Sequence, residues 1–218
     1  MTQEFRLTTS SKIVIATAIL ASLLEIIDTS IVNVAIPTMM GNLGATLESI
    51  SWVVTGYIIA NAIVLPIAGW MGLQFGRRNY YVGCILIFTA TSVACGLAPN
   101  LTTLVVFRVL QGLAGGALLP TSQALIQEQF PREKAGVASA IYGMGVIVGP
   151  TIGPTLGGFL TDTLGWRSIF NINLPLGLLA AALAWWKVED MPMPKGQENR
   201  PKPSVDFMGL LLLCVGIG

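Results

Sequence analysis

The sequence predicts an all-α membrane protein, with six complete transmembrane helices followed by the start of a seventh. Three observations predict it. Six apolar stretches of spanning length fill most of the 218 residues. Hydrophobic residues make up 53% of the chain and charged residues 11%, with a mean hydropathy of +0.72. A soluble domain carries roughly a quarter charged residues, so this chain has too few to cover a surface in water. Finally, only Glu25, Asp28 and Arg108 ionise well inside the stretches, where such a group costs on the order of 3 kcal/mol. Buried charges of this kind survive where they face water, a partner or a substrate.

A span needs about 20 mostly apolar residues. Residues 1–12 are polar and are expected as a cytoplasmic N-terminus; 13–36 form the first span. A signal peptide is a poor reading, because its apolar core is roughly 7–15 residues. The further spans are 52–71, 80–97, 103–125, 136–159 and 169–186, together a membrane unit over 13–186. Trp52 and Trp70 close the ends of the second, Tyr80 and Tyr81 open the third, and Trp185 and Trp186 end the sixth. Amphipathic rings favour the headgroup level, which explains that placement. Residues 187–206 hold four prolines and mixed charge and read as a cytoplasmic linker. The apolar run 207–218 reaches only about 18 Å against a hydrocarbon core of about 30 Å, so a longer protein is expected.

Orientation follows from Lys and Arg. Arg6, Lys12, Arg77, Arg78, Arg132, Lys134, Lys187, Lys195, Arg200 and Lys202 fall on one side and Arg167 alone on the other. The positive-inside rule puts the N-terminus and the linker in the cytoplasm.

Composition also excludes. A net charge of +1 gives no electrostatic case for nucleic acid. His is absent, which removes the commonest catalytic base and metal ligand; no cofactor or metal is expected, and a membrane enzyme is disfavoured. Cys84 and Cys95 lie about 16 Å apart along one helix, too far to bridge, and Cys214 sits in another apolar run.

The chemistry is expected in the first and fourth spans. Asp28 lies eight residues before the outer end of its span and Arg108 seven residues into the fourth, depths of about 12 and 10 Å. If those helices adjoin, each charge finds its opposite, which lowers the cost of burial. A static ion pair is one reading; proton or substrate coupling is the other. Glu25 shares the Asp28 face at i and i+3. Two carboxylates that close resist double ionisation, and a carboxyl holding a proton can exchange it for a cation. Glu25 facing a wet cavity without coupling is the alternative. Gln111 and Gly112 continue the Arg108 face, and Asn33 and Asn61 either line a cavity or join helices.

Two further patterns stand out. Gly145, Gly149, Gly153 and Gly157 recur every fourth residue, with Gly158 beside the last, and draw a groove down one helix face. Pro150 and Pro154 fall within that run and invite a kink; tight packing and a helix shaped to bend are both open. Between spans two and three, Gly69, Gly72 and Gly76 permit a tight turn, and Arg77 and Arg78 follow, explicable by topology alone.

These residues together resemble the major facilitator superfamily, specifically its fourteen-span drug:proton antiporters of the EmrB/QacA type. Leu24 through Pro37 is similar to that family's first-helix motif, and Gly69 through Arg78 to the loop signature between helices two and three. Phe107-Arg108 to Gly112 resembles the fourth-helix motif, and Gly145 through Gly158 the antiporter motif of exporters. Trp166 through Gly177 resembles the entry to helix six. The resemblance implies an N-terminal six-helix half built from inverted three-helix repeats, with helices one and four as repeat equivalents lining the cavity. It implies export of lipophilic and often cationic compounds, driven by a proton gradient across the bacterial inner membrane. It also implies a C-terminal half as partner and, in Gram-negative relatives, a periplasmic adaptor and an outer-membrane channel. Two departures stand: Leu73 and Gln74 occupy the loop positions of an acid and a base, which leaves the cytoplasmic latch without its acid, and Glu25 lies outside the general motif. A uniporter or metabolite exporter of the same fold, and a non-transporting scaffold that needs a partner, are the competing readings.

Overall fold

The computed structural model describes residues 7–190 and Gly209. Most of the expected linker, and all of the run 207–218 except Gly209, Cys214 included, lie outside the described residues.

Nine α-helices carry the described chain: α1 Thr9–Leu43, α2 Leu47–Val64, α3 Ala68–Phe75, α4 Arg77–Gly96, α5 Leu101–Gly115, α6 Leu118–Gln127, α7 Ala135–Leu164, α8 Ser168–Asn171 and α9 Asn173–Lys187. They supply six helical stretches long and apolar enough to cross a membrane: Thr9–Leu43, Leu47–Val64, Arg77–Gly96, Leu101–Gln127, Arg132–Leu164 and Ser168–Lys187. The chain is a multi-pass membrane protein with the six expected spans.

Span ends differ from hydropathy where capping chemistry intervenes. α1 runs past Pro37 to Leu43 and stops at Gly44, whose φ of 61° closes the helix while Ala45 N–H donates to the Met40 carbonyl at 3.0 Å. The end expected near residue 36 is therefore corrected, because apolarity ends before the helix does. Thr46 and Ser49 cap α2 reciprocally, and Asn100 accepts the Thr103 N–H at 2.9 Å to start α5. Three spans are interrupted: after Val64, at Gly116–Ala117, and at Ile172. Each interruption lies near a proline, Pro66, Pro120 or Pro175, whose missing N–H leaves a carbonyl one turn earlier unbonded.

Gly69 and Gly72 do not form the expected turn; both lie within α3. Only Gly76 takes a left-handed φ, at 81°, so the reversal into α4 rests on that one residue. Gly76→Ala is accordingly expected to cost about 1–3 kcal/mol. Gly69→Ala, with nothing within 4 Å of its added carbon, is neutral or slightly stabilising in a helix interior. Thermal unfolding of the two variants in detergent checks the contrast.

Packing follows the small residues. α1 is the central helix, against α7, α9 and α6; α2 packs on α5, and α4 on α5 and α9. The core divides into two apolar clusters. One includes Ala18, Leu24, Tyr57, Phe88 and Leu118; the other includes Ile27, Ile31, Met39, Ile50 and Phe170. Glu25 and Asp28 fall in α1 where one cluster gives way to the other, so a polar layer crosses the bundle at that level.

Candidate functional site

Arg108 is among the largest fully buried side chains in the described chain. It projects from α5 between α1 and α2. Its Nη1 donates to Asp28 Oδ2 at 2.5 Å and to Gln111 Oε1 at 2.8 Å, and its Nε donates to the Val53 carbonyl of α2 at 3.0 Å. The guanidinium lies 4.1 Å from the centre of the Tyr57 ring, a cation–π contact strengthened by desolvation.

Asp28 is equally enclosed, at 1% exposure. Beyond Arg108 it accepts two amide hydrogens on Oδ1, from Gln111 Nε2 at 2.9 Å and from Asn173 Nδ2 at 2.8 Å. Asn173, at the start of α9, also donates to Ser92 Oγ of α4 at 2.9 Å, and Ser92 in turn donates to the Phe170 carbonyl at 2.9 Å. One carboxylate thus ties α1 to α5 and α9 through charge-assisted bonds roughly twice as strong as neutral ones, and Asn173 carries the link on to α4. The expected meeting of Asp28 and Arg108 is present, though by a different route. Of the two halves of the fourth span, α1 packs on α6 rather than on α5, and the long Arg108 side chain covers the remaining distance.

Glu25 turns elsewhere. It is 4% exposed, and its Oε1 accepts from Asn61 Nδ2 of α2 at 2.5 Å. Oε2 makes no close hydrogen bond among the described residues. The two carboxylates share a helix face but not their partners. Asn61 therefore joins helices, whereas Asn33 is exposed and bonds only its own helix, to the Thr29 carbonyl at 3.0 Å.

Glycine sets the approach of α5 to α2. A Cβ on Gly112 or Gly116 would collide with the backbone carbonyl of Tyr57 or Asn61, and one on Gly115 would come 2.9 Å from the Tyr57 hydroxyl. These three positions let Tyr57 and Asn61 reach the charged layer. The second glycine run behaves likewise: added carbons at Gly145, Gly149, Gly153 and Gly157 meet Ile19, Ile26, Ser30 and Ile31 of α1. Gly158 faces open space, and Pro150 and Pro154 stand on the exposed side of an unbroken α7. The groove is built by the glycines, and the prolines lie outside it.

At the end of the bundle holding Arg77, Arg132 and Lys187, the arginines of the loop take partners. Arg77 pairs with Glu128 beyond α6, Arg78 lies 4.8 Å over the Trp185 ring, and the Arg78 N–H donates to Asp190 Oδ1 at 2.9 Å. They do more than mark topology, although exposed pairs of this kind are worth about 0–1 kcal/mol each. Leu73 is exposed at 58%.

Sequence reasoning missed Asn173 and Tyr57 as members of the charged layer. A signal existed for both. Asn173 is one of two amides in the sixth span, and Tyr57 is a ring well inside its span rather than at a membrane interface.

The family model of the Major Facilitator Superfamily matches residues 18–216. The chain belongs to the Major Facilitator Superfamily. It is 39% identical over 199 residues to the multidrug export protein EmrB of Haemophilus influenzae, covering 91% of this chain and 38% of that protein. The fatty acid resistance protein FarB of Neisseria gonorrhoeae is 38% identical, with the same coverage. A multidrug resistance protein B homolog of Mycobacterium tuberculosis is 41% identical over 91% of this chain and 36% of its own length. The chain spans less than two-fifths of the length of these curated relatives. Among solved structures, a superfamily proton:xylose symporter, XylE, superposes with a TM-score of 0.73 at 19% identity, over 83% of this chain and 45% of that one. A bacterial homolog of the human lysosomal transporter Spinster gives 0.72 at 23% identity, over 88% and 47%. These two establish the fold.

Proposed function

We propose that the chain is the N-terminal half of a proton-coupled exporter of lipophilic or cationic compounds, working by alternating access in a bacterial inner membrane with its basic end in the cytoplasm. The reading rests on one observation above the rest: a carboxylate and a guanidinium meet out of water at membrane depth, joined to four helices by hydrogen bonds. A charge pair between helices is a two-state element, because a change of charge beside it, a proton lost or a cation gained, alters the preferred arrangement of the helices that hold it. Similarity to proteins named for multidrug and fatty acid resistance supports apolar or amphipathic cargo, and no metal or organic cofactor enters the scheme. The missing half would supply the other wall of the cavity. In a Gram-negative cell a periplasmic adaptor and an outer-membrane channel would extend the route.

The test is reconstitution of the protein from its complete reading frame into liposomes loaded with a pH-sensitive dye. Addition of tetraphenylphosphonium moves protons in the opposite direction if the protein is an antiporter. Uptake with no proton movement identifies a uniporter, and the absence of both removes transport of lipophilic cations.

A further inference from the structure

Resting on that antiport reading, we infer that Glu25, and not Asp28, is the carboxyl that gives up and regains the exchanged proton, while Asp28 holds Arg108 in place. The two groups differ in how fully they are satisfied. Asp28 has a guanidinium on Oδ2 and two amide donors on Oδ1, so a proton there would displace a strong partner and leave Arg108 buried without a counterion. Glu25 has only neutral donors, the Asn61 amide on Oε1 and the backbone of Leu119, and Oε2 makes no close hydrogen bond among the described residues.

Among the described residues, the surroundings of Glu25 supply no positive charge of their own. Its own helix brings Asp28; the other titratable groups facing it are phenols, Tyr57 of α2, Tyr81 of α4 and Tyr142 of α7. From α6 it meets the backbone of Leu119, and the guanidinium from α5 is engaged by Asp28. An isolated carboxylate in such a place is costly, whereas the neutral acid is not. The Tyr57 hydroxyl borders the same niche beside Asn61. Exchange is balanced in charge: the acid releases one proton as a monovalent cation arrives, and the carboxylate left behind neutralises that cation. Asn61 serves as a positioning residue, steering Oε1 and leaving Oε2 free.

Infrared spectroscopy of the membrane-reconstituted protein, made from its complete reading frame, tests this directly. The wild-type minus Glu25→Gln difference spectrum at neutral pH is expected to contain the carbonyl band of a protonated carboxyl. Glu25→Asp should shift that band rather than abolish it, and Asp28→Asn should retain it. Adding tetraphenylphosphonium to weakly buffered protein should release a proton from the wild type and none from Glu25→Gln. Carboxylate bands in place of the acid band, or undiminished proton release by Glu25→Gln, overturn the assignment. A wild-type protein that releases its proton on binding yet drives no uptake removes the antiport reading and leaves the assignment standing.

Discussion

Replacing Asp28 by Asn is expected to destabilise the bundle more than replacing Asp28 and Arg108 together. The single change leaves shape and hydrogen-bonding capacity nearly intact but strands a fully buried guanidinium. Breaking a buried pair from one side costs about 3–5 kcal/mol, whereas removing both charges is often neutral. Arg108→Gln alone is milder, because Asp28 keeps the amides of Gln111 and Asn173. Asn173→Ala removes one donor to a charged acceptor and is expected to cost about 1.5–3 kcal/mol. Thermal unfolding in detergent of the two singles and the Asp28→Asn, Arg108→Gln double gives the coupling energy. A double variant less stable than Asp28→Asn would show that the pair is not what holds these helices. The same single variants should reach the membrane in normal amounts yet lose proton-driven efflux, since pairing is required for coupling and not for insertion.

The second large effect lies along the α1–α7 seam. At Gly153 an added carbon would come 2.5 Å from Ser30 Oγ and 2.6 Å from Ser30 Cβ. The Cβ is fixed to the backbone, so no rotamer relieves the clash and α7 must move off α1. At Gly149 the obstacle is the Ile26 side chain, 2.5 Å from its Cγ2, which has more freedom to yield. Overpacking of this type costs typically 1–3 kcal/mol, so Gly153→Ala is expected to fall at the upper end and Gly149→Ala below it. Gly158→Ala, with nothing within 4 Å, should unfold with the wild type. Ser30→Gly removes the obstructing atoms and should make Gly153→Ala harmless relative to Ser30→Gly alone. If Gly153→Ala and Gly158→Ala unfold at the same temperature, close helix approach at this seam is not required.

The comparison of seam and loop shows why periodicity is a better guide than residue type. Four glycines at a spacing of four can only share one face of a helix, and the structure puts a neighbouring helix on that face. Gly69, Gly72 and Gly76 stand three and four residues apart, also a helical spacing, yet expectation read them as a turn; α3 absorbs the first two and Gly76 alone reverses the chain. Proline misleads in a similar way. Pro37, Pro150 and Pro154 sit inside continuous helices, while breaks occur near Pro66, Pro120 and Pro175. A missing N–H is a local fact, but whether the helix yields depends on what surrounds the freed carbonyl.

The chain by itself determined that its described residues hold six membrane-spanning stretches, roughly where they lie, and that Glu25, Asp28 and Arg108 need an explanation. Transfer energies are summed residue by residue, and a charge in an apolar run is visible without knowing its neighbours. Tertiary structure alone decided the partners: Asn173 and Gln111 to Asp28, Tyr57 beneath Arg108, Asn61 to Glu25. Two carboxylates one turn apart are equivalent on a helical wheel. They diverge because α5 and α9 deliver donors to one, and α2, drawn close by Gly112 and Gly116, delivers a single amide to the other.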